Sequence, residues 1–328
     1  AAQLTGALPA ISGANLTGIA ATDNVRTGIL DVAGIATFRS DVNVPNINGG
    51  QIAGRRNLLI NGAMKINQRI QTGSLGYFNP VTGSIYTLDR WKVLNAQSFD
   101  TDSAQVTQDN GAPSSEGFAK SIMMNIGNTE TPGANNVCGF EQKIEAQDLQ
   151  HLCYGTSSAK TLTLSFWVYS NKTGTYCVQV EHDDASKYNM YEYTINSSNT
   201  WEKKIITISG NTSDVINEDN GIGLQVNWIL CAGSGRHVAA TDSWASGASY
   251  YATSNQVNLW DHADNYFKMT GCQLQVGAAT DFIHEDIGTT LRKCQRYFYM
   301  ACGPDGGGYE TIGTGMIYYS GTGYANVF

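Results

Sequence analysis

Alternation of apolar and polar residues is the main pattern in the larger, C-terminal part of the sequence. In the segment 161–169, Leu162, Leu164, Phe166 and Val168 fall on one face of an extended chain, and Thr, Ser and Trp fall on the other. A period of two residues is typical of a β-strand with one buried face. The same pattern predicts further strands at 86–93, 176–180, 190–195, 203–208, 224–230 and 267–276. Many short strands separated by turn residues predict a sandwich or a barrel.

Two local signals add detail to this all-β prediction. Asn171-Lys172-Thr173-Gly174 is a turn sequence between two predicted strands, which predicts a β-hairpin. Leu291, Cys294 and either Tyr297 or Phe298 recur at helical spacing, which predicts one short amphipathic helix. Long helical periodicity is absent from the sequence, so the fold class is all-β.

Residues 1–54 have a different composition from the rest. They contain no Trp, Tyr or Cys and a single Phe, so they cannot build a globular core. They carry short quasi-repeats, in which Leu4-Thr5-Gly6 returns as Leu16-Thr17-Gly18. Strands this short bury their apolar side only when they stack with copies of themselves. The segment is predicted to form a fibrous β-spiral shaft in a homotrimer, and a disordered linker is the alternative.

The charge and cysteine content exclude several classes of protein. The chain has 328 residues and a formal net charge of −8, without a cluster of Lys and Arg, so nucleic acid is not an expected partner. No apolar run approaches the roughly 18 residues of a membrane-spanning helix, so membrane insertion is not expected. The seven cysteines are widely spaced and form no Cys-x-x-Cys pair, so free thiols are predicted.

The sequence carries no motif of a known catalytic site. Gly-x-Ser-x-Gly, Walker and His-Glu-x-x-His motifs are absent, so the chain is not predicted to be an enzyme. A fibre depolymerase is the enzymatic alternative, but the long β-helix repeats usual in such enzymes are not visible. No cofactor is predicted. The clusters Glu181-His182-Asp183-Asp184 and Asp261-His262-Ala263-Asp264 are either solvated turns or loop ligands for a structural Ca²⁺.

A polar, Gly- and Ser-rich stretch at 233–266 still contains several aromatic residues. Aromatic rings beside acids and amides suit sugar binding, because a pyranose stacks its C–H face on a ring while polar side chains bind its hydroxyls. In the alternative reading, these rings plug the edge of a sandwich. The predicted glycan contacts are Trp244, Tyr250, Tyr251, Trp260, Asp261 and His262.

Four segments resemble the opening and closing motifs of a bacteriophage tail-fibre module. They are Arg-Asn-Leu-Leu-Ile-Asn-Gly-Ala-Met-Lys-Ile-Asn-Gln-Arg at 56–69, Tyr-Thr-Leu-Asp-Arg-Trp at 86–91, Gln-Leu-Gln-Val-Gly-Ala-Ala-Thr-Asp-Phe-Ile-His-Glu at 273–285 and Leu-Arg-Lys-Cys-Gln-Arg-Tyr-Phe at 291–298. Their order and spacing resemble those of the family. The family motifs belong to the scaffold, and Asp89-Arg90-Trp91 is expected to place an ion pair beside a core tryptophan.

The resemblance implies a jelly-roll β-sandwich, similar to carbohydrate-binding modules, on a trimeric virion fibre. The expected organisation is a shaft at 1–54, a sandwich at 55–288 and, at 289–328, the start of a distal element that continues beyond Phe328. The expected function is adhesion to a host surface glycan, with other virion tail or capsid proteins bound through the N-terminus. The alternative is a purely structural fibre or connector, on the tail or capsid surface, with its ligand site elsewhere.

Overall fold

A computed structural model describes residues 56–69, 84–96, 104–247 and 249–299, all of which belong to the compact unit Pro45–Phe328. The predicted shaft at 1–54 and the chain after 299 lie outside the described residues. The described residues contain twelve strands and one α-helix, α1, at Ile287–Gln295. The strands are β1 Ile85–Tyr86, β2 Lys92–Ala96, β3 Gln105–Asp109, β4 Ser121–Asn125, β5 Val137–Glu145, β6 Leu162–Ser170, β7 Gly174–His182, β8 Lys187–Ile195, β9 Glu202–Ile208, β10 Ile222–Ala232, β11 Thr241–Ser246 and β12 Tyr266–Val276.

The strands form two antiparallel sheets. The seven-stranded sheet has the order β1-β2-β5-β10-β7-β8-β11, and the five-stranded sheet has the order β3-β4-β12-β6-β9. Strands that are neighbours in a sheet are distant in sequence at most of these junctions, as in the pairing of β10 with β5 and of β12 with β4. The predicted all-β class with two sheets is therefore confirmed for the described residues.

The main core is built from the alternating apolar residues of the two sheets. Phe166 of β6 and Trp228 of β10 meet edge to face, with ring centroids 5.8 Å apart, and both side chains are fully buried. Edge-to-face contact is a favoured geometry for aromatic pairs. The apolar positions predicted on β6 all belong to this core, which confirms the period-two reading of 161–169. Burying each large apolar side chain contributes about 1.5–3 kcal/mol.

The structure corrects two of the local predictions. The segment 86–93 is not one strand, because a turn separates β1 from β2 and Arg90 adopts a φ of 72° there. The turn closes with the Thr87 N–H donating to the Trp91 carbonyl over 2.9 Å. The turn at 171–174 is not a hairpin, because β6 lies in the five-stranded sheet and β7 in the seven-stranded one. It carries the chain between the sheets, so its flanking strands do not pair.

The predicted short helix is present as α1, and it packs on the opening segment 56–69. Cys294 of α1 is buried in a small apolar cluster with Ile60 and Ile66, and Leu291 packs against this cluster. The side chain of Asp286 caps the helix by accepting from the Thr289 N–H over 3.0 Å. The spacing of apolar residues therefore located both the helix and its buried face.

The four motifs meet in space, in a group of contacts that we call the motif junction. The Asp89 carboxylate accepts two hydrogen bonds from Gln68, one from the backbone and one from the side chain, each at 2.6 Å. The guanidinium of Arg90 lies 3.4 Å from the ring centroid of Tyr297, and that of Arg69 lies 3.6 Å from the centroid of Phe298. Such cation–π stacks lock the opening and closing segments together.

The tryptophan of the second motif completes this junction. Trp91 is fully buried, as expected of a core tryptophan, and its indole Nε1 donates to the Asn61 carbonyl over 3.0 Å. The Asn57 side chain accepts from the Leu274 N–H over 3.0 Å, which ties the first motif to the third. The residues that carry the family resemblance are thus structural residues of one junction.

The cysteines in the described residues are free thiols. Five of them are buried as small apolar side chains, and Cys153 is half-buried. Burial raises the pKa of the Cys294 thiol to about 12, so this thiol is protonated and unreactive at neutral pH. Cys302 lies outside the described residues. No helix in the described ranges has the length and apolar character needed to cross a bilayer.

Candidate functional site

The outer face of the seven-stranded sheet carries a row of buried polar side chains. It consists of Glu141 on β5, Gln179 and Glu181 on β7, and Gln225 and Asn227 on β10, and we call it the polar row. The strand order β5-β10-β7 makes these three strands neighbours, with Asn227 opposite both Glu141 and Gln179, and Gln225 opposite Glu181. Because alternate residues face opposite ways, all five side chains point away from the core.

Hydrogen bonds fix the orientation of each amide in the polar row. The Tyr250 carbonyl can only accept, so Gln179 turns its Nε2 toward it, at 2.7 Å. The Oε1 of Gln179 then faces Asn227, whose Nδ2 donates to it over 2.5 Å. In the same way, Gln225 donates its Nε2 to the carboxylate of Glu181. The NH₂ group of each of these amides is thereby engaged as a hydrogen-bond donor.

This arrangement leaves some oxygen acceptors of the polar row without a hydrogen-bond partner in the described residues. The Gln225 Oε1 and the Asn227 Oδ1 are buried and have no hydrogen-bond partner within the described part of the chain. The Glu141 Oε1 also lacks a hydrogen bond, although it lies 3.4 Å from the Lys92 Nζ and 3.5 Å from the Lys143 Nζ. Buried acceptors are nearly always satisfied in native proteins. Buried water can satisfy these oxygens, and a ligand hydroxyl can do so where the chain that covers this face moves aside.

Glu181 is a member of the polar row whose carboxyl changes its protonation state near neutral pH. Burial is the main cause that raises its pKa to about 7, and the charges of Asp183 and Glu141 add to the rise. The hydrogen bond from Gln225 and the charge of Lys143 act in the opposite direction. Perturbed pKa values are concentrated at functional sites, which makes Glu181 a candidate for ligand contact.

Two tyrosines form the rim of the polar row. Burial and the charges of Glu181 and Glu141 raise the pKa of Tyr251, which lies close enough to the row for these carboxylates to affect its hydroxyl. Tyr250 is 37% exposed, and its ring lies 6.0 Å from that of Tyr188, centroid to centroid. The guanidinium of Arg236 lies 6.0 Å from the Tyr251 ring centroid. The row offers hydrogen-bond acceptors and the rim offers aromatic rings. The surface can therefore contact both the polar and the apolar side of an amphipathic ligand.

The rim is held in place by a second, smaller apolar cluster on the same outer face. Tyr188, Met190 and Ile229 are buried there together with Ala252, which belongs to the chain that follows β11. Gln256 anchors that chain, because its Oε1 accepts from the Cys177 N–H over 2.8 Å and its Nε2 donates to the Ile229 carbonyl. The covering chain thus occupies part of the outer face and sets the tyrosines beside the polar row.

The structure brings only Tyr250 and Tyr251, of the six predicted glycan contacts, to the polar row. Trp244 is half-buried on β11, where its ring packs against Tyr154 and His182 at 5.9 Å. Trp260 is 1% exposed and lies in the main core, so its ring offers no free face for stacking.

Asp261 and His262 lie in the chain just before β12, and both are exposed. Asp261 accepts from the Lys172 ammonium over 2.5 Å, and its other oxygen accepts from Asn265 over 2.9 Å. These partners satisfy the carboxylate within the protein. Asp261 and His262 are therefore part of a local hydrogen-bond network of the turn before β12.

The described residues contain no group of three or more His, Cys, Asp or Glu side chains placed to hold a metal ion. The cluster at 181–184 is divided by the strand geometry. Glu181 points outward, whereas His182 is fully buried on the core side, with its Nδ1 3.0 Å from the Asn211 Nδ2. Adjacent residues of a strand face opposite sides of the sheet, so these two cannot share an ion.

Comparisons with known proteins find solved structures that are similar at low sequence identity. No protein-family model matches the sequence, and no curated protein matches it. Among solved structures, the enzymatically active domain of tailspike protein 4 from bacteriophage CBA120 is 13% identical, with a TM-score of 0.32, over 65% of this chain. The chain spans 22% of the length of that tailspike chain.

Carbohydrate-binding modules are also among the similar structures. A family 4 module is 15% identical with a TM-score of 0.35, and the match covers 66% of this chain and 97% of the module. The C-terminal family 22 module of Clostridium thermocellum Xyn10B is 12% identical with a TM-score of 0.31, and the match covers 73% of this chain and 100% of the module.

Proposed function

We propose that this chain is a carbohydrate-binding fibre protein whose β-sandwich binds a glycan at the polar row. The observation that carries the proposal is the set of buried acceptors that lack a hydrogen-bond partner in the described residues, beside the Tyr250 and Tyr251 rim. A sugar presents many hydroxyl donors and an apolar C–H face, and this surface offers acceptors and rings in the same place. No other common ligand class matches both properties as well.

In this proposal, a glycan displaces part of the chain that covers the outer face, its hydroxyls donate to the Oε1 of Gln225 and the Oδ1 of Asn227, and a pyranose ring stacks on Tyr251. Each neutral hydrogen bond contributes about 0.5–1.5 kcal/mol, so a single site binds weakly. Three copies on one fibre would raise the overall affinity by about 10²–10⁴-fold through multivalency. Weak single sites and tight multivalent adhesion are therefore compatible.

The setting of the site belongs to the same proposal. We infer a homotrimeric fibre on a virion, on the tail or the capsid surface, that adheres to host surface glycan and joins other virion proteins through its N-terminus. The support is the resemblance of the four motifs to phage tail-fibre modules. Mass measurement in solution tests the trimer, because a monomer from protein that keeps residues 1–54 and the tail would contradict it.

A purely structural role is the second candidate, and the motif junction favours it. The Arg90–Tyr297 and Arg69–Phe298 stacks connect the first two motifs to the residues that directly follow α1. Such a junction would hold a connector in a fixed orientation within a fibre. If the sandwich fails to bind whole host cells or any host-derived glycan, the connector role is the better account.

We expect Tyr251→Ala to weaken binding of a host-derived glycan by about tenfold or more, because the change removes an aromatic anchor at the rim. The measurement is a glycan array with the whole chain, followed by titration of the best glycan. Tyr299→Ala is the matched control, since Tyr299 is 65% exposed and lies away from the row. Equal affinities of the two variants would contradict the proposed site.

We also propose that the site binds without cleaving. The polar row places two carboxylates on one face, Glu141 and Glu181, so glycoside hydrolysis is the reaction to test. We expect no new reducing ends when the protein is incubated with a glycan that it binds. Release of reducing ends that Glu181→Gln abolishes would assign the chain to the depolymerases instead.

A further inference from the structure

A second group of aromatic rings lies on the opposite face of the sandwich. Trp167 and Tyr169 are on β6, Trp201 precedes β9 and Tyr266 begins β12, and all are half-buried. We call these four residues the aromatic face. Val168, between Trp167 and Tyr169, and Phe267, next to Tyr266, are in the core, so the rings of these three residues point outward from the five-stranded sheet.

Three rings of the aromatic face contact one another on the neighbouring strands β12 and β6 and just before β9. Tyr169 lies 5.2 Å from Trp201 and 6.0 Å from Tyr266 between ring centroids, and the latter pair is stacked at 22°. The Tyr266 hydroxyl donates to the Asn199 Oδ1 over 2.5 Å, which fixes its ring. The rings therefore form a preorganised platform, which lowers the entropy cost of binding.

A cavity of about 170 Å³ adjoins the platform at Trp167. Its walls include Glu116, Lys203, Asp281 and the ring of Phe282. A bulge in β12 makes room for this arrangement, because the register against β6 shifts between Thr270 and Gln273.

Gly271 is the reason that the rings can approach the bulge so closely. It has a φ of 61°, and a Cβ atom there would lie 2.7 Å from the Phe118 Cζ and 3.0 Å from the Trp167 Cδ1. A residue with a side chain would be strained at this φ and would displace both rings. The backbone at the bulge is thus adapted to the aromatic wall of the cavity.

The polar groups around the aromatic face nearly balance in charge. Glu116 and Asp281 lie opposite Lys203 in the cavity, and at the other end Lys268 donates to the Asp109 carboxylate over 2.7 Å. The Lys268 ammonium also lies 5.5 Å from the Tyr169 ring centroid. Balanced charge suits an uncharged ligand, whereas a phosphate or polyanion would need an excess of cations.

We propose that the aromatic face and its cavity form a second carbohydrate-binding surface, which takes a neutral sugar chain by stacking on Trp167, Trp201 and Tyr169. Hydroxyls at the chain edge would bond to Glu116, Asp281 and Lys203. The proposal does not rest on the polar row, which lies on the other side of the sandwich. Two surfaces on opposite faces would let one sandwich bridge two glycan chains.

Tryptophan fluorescence of the whole chain tests this surface. Trp91, Trp228 and Trp260 are buried, and Trp244 on β11 packs against Tyr154 and His182, so a neutral polysaccharide that binds the aromatic face changes the emission of Trp167 and Trp201. The probes are a soluble neutral β-glucan, galactan and xylan. We expect Trp201→Ala and Trp167→Ala each to weaken binding about tenfold, as removal of an aromatic anchor does, with Tyr299→Ala unchanged.

The variant Tyr251→Ala separates this proposal from the polar row. We expect it to keep the polysaccharide affinity that Trp201→Ala loses, with thermal unfolding showing that both variants are folded. Binding that Tyr251→Ala alone abolishes would overturn the second surface, as would absence of binding to all three polysaccharides. If Trp201→Ala instead breaks an oligomer in solution, as shown by light scattering, the face is a subunit interface and the proposal is wrong.

Discussion

Replacing Trp91 with alanine is expected to lower the free energy of unfolding by about 4 kcal/mol. The Trp91 side chain is fully buried at the centre of the motif junction, with its ring 5.4 Å from that of Trp228. The truncation leaves a cavity and also removes the hydrogen bond to the Asn61 carbonyl. Urea denaturation followed by circular dichroism measures the change.

Trp91→Phe is the matched control for this prediction. It keeps an aromatic ring in the core and removes the Nε1 donor, so we expect a loss of about 1–2 kcal/mol. If the two variants are equally stable, the ring of Trp91 does not support the junction in the way that its burial indicates. A large loss would explain why a tryptophan stands at this position of the motif.

The variant Glu181→Gln is expected to be more stable than the parent protein above pH 7 and equally stable near pH 4. The pKa of the Glu181 carboxyl in the parent protein is about 7 in the folded state, against an ordinary value of 4.5. Between these values the folded state holds a proton that the unfolded state has lost, so the parent loses stability as the pH rises. The difference amounts to roughly 3 kcal/mol at pH 8.

Denaturation of both proteins at several pH values between 4 and 8 measures this effect. Glutamine cannot titrate, and it can still accept the hydrogen bond that Gln225 donates. The control is Glu218→Gln, because Glu218 is exposed and its substitution should leave the pH profile unchanged. A constant difference between Glu181→Gln and the parent across the pH range would show that Glu181 titrates alike in both states.

The same titration links stability to ligand binding. A protonated Glu181 can donate to a sugar oxygen as well as accept, whereas the ionised form can only accept. Glycan affinity at the polar row should therefore change across pH 7, and Glu181→Gln should remove the change. A pH-independent affinity in the parent protein would place the glycan away from Glu181.

The predicted site was only partly recoverable from composition. Tyr250 and Tyr251 were found because aromatic residues stand out in a polar stretch, and the structure places both at the rim of the polar row. Trp260 stood out in the same way, but it is buried in the core. Composition shows where rings are frequent, and only packing decides which of them reach the surface.

The polar row itself was missed because its residues come from separate strands. Glu141, Glu181 and Gln225 each look like an ordinary polar position of an alternating strand. Their meeting depends on the order β5-β10-β7, which no local pattern encodes. The aromatic face had a stronger local signal, because Trp167 was already assigned to the face of β6 opposite to the apolar one.

The sequence by itself determined the all-β class, most strand positions, the short helix and the face of β6 that enters the core. These properties follow from side-chain periodicity, which depends only on near neighbours in the chain. The tertiary structure alone decided that β6 and β7 separate into different sheets and that β10 lies between β5 and β7. Backbone hydrogen bonds form equally well between any two strands, so packing of the whole core selects the partners. That selection brings distant polar and aromatic residues together as the two proposed carbohydrate-binding surfaces.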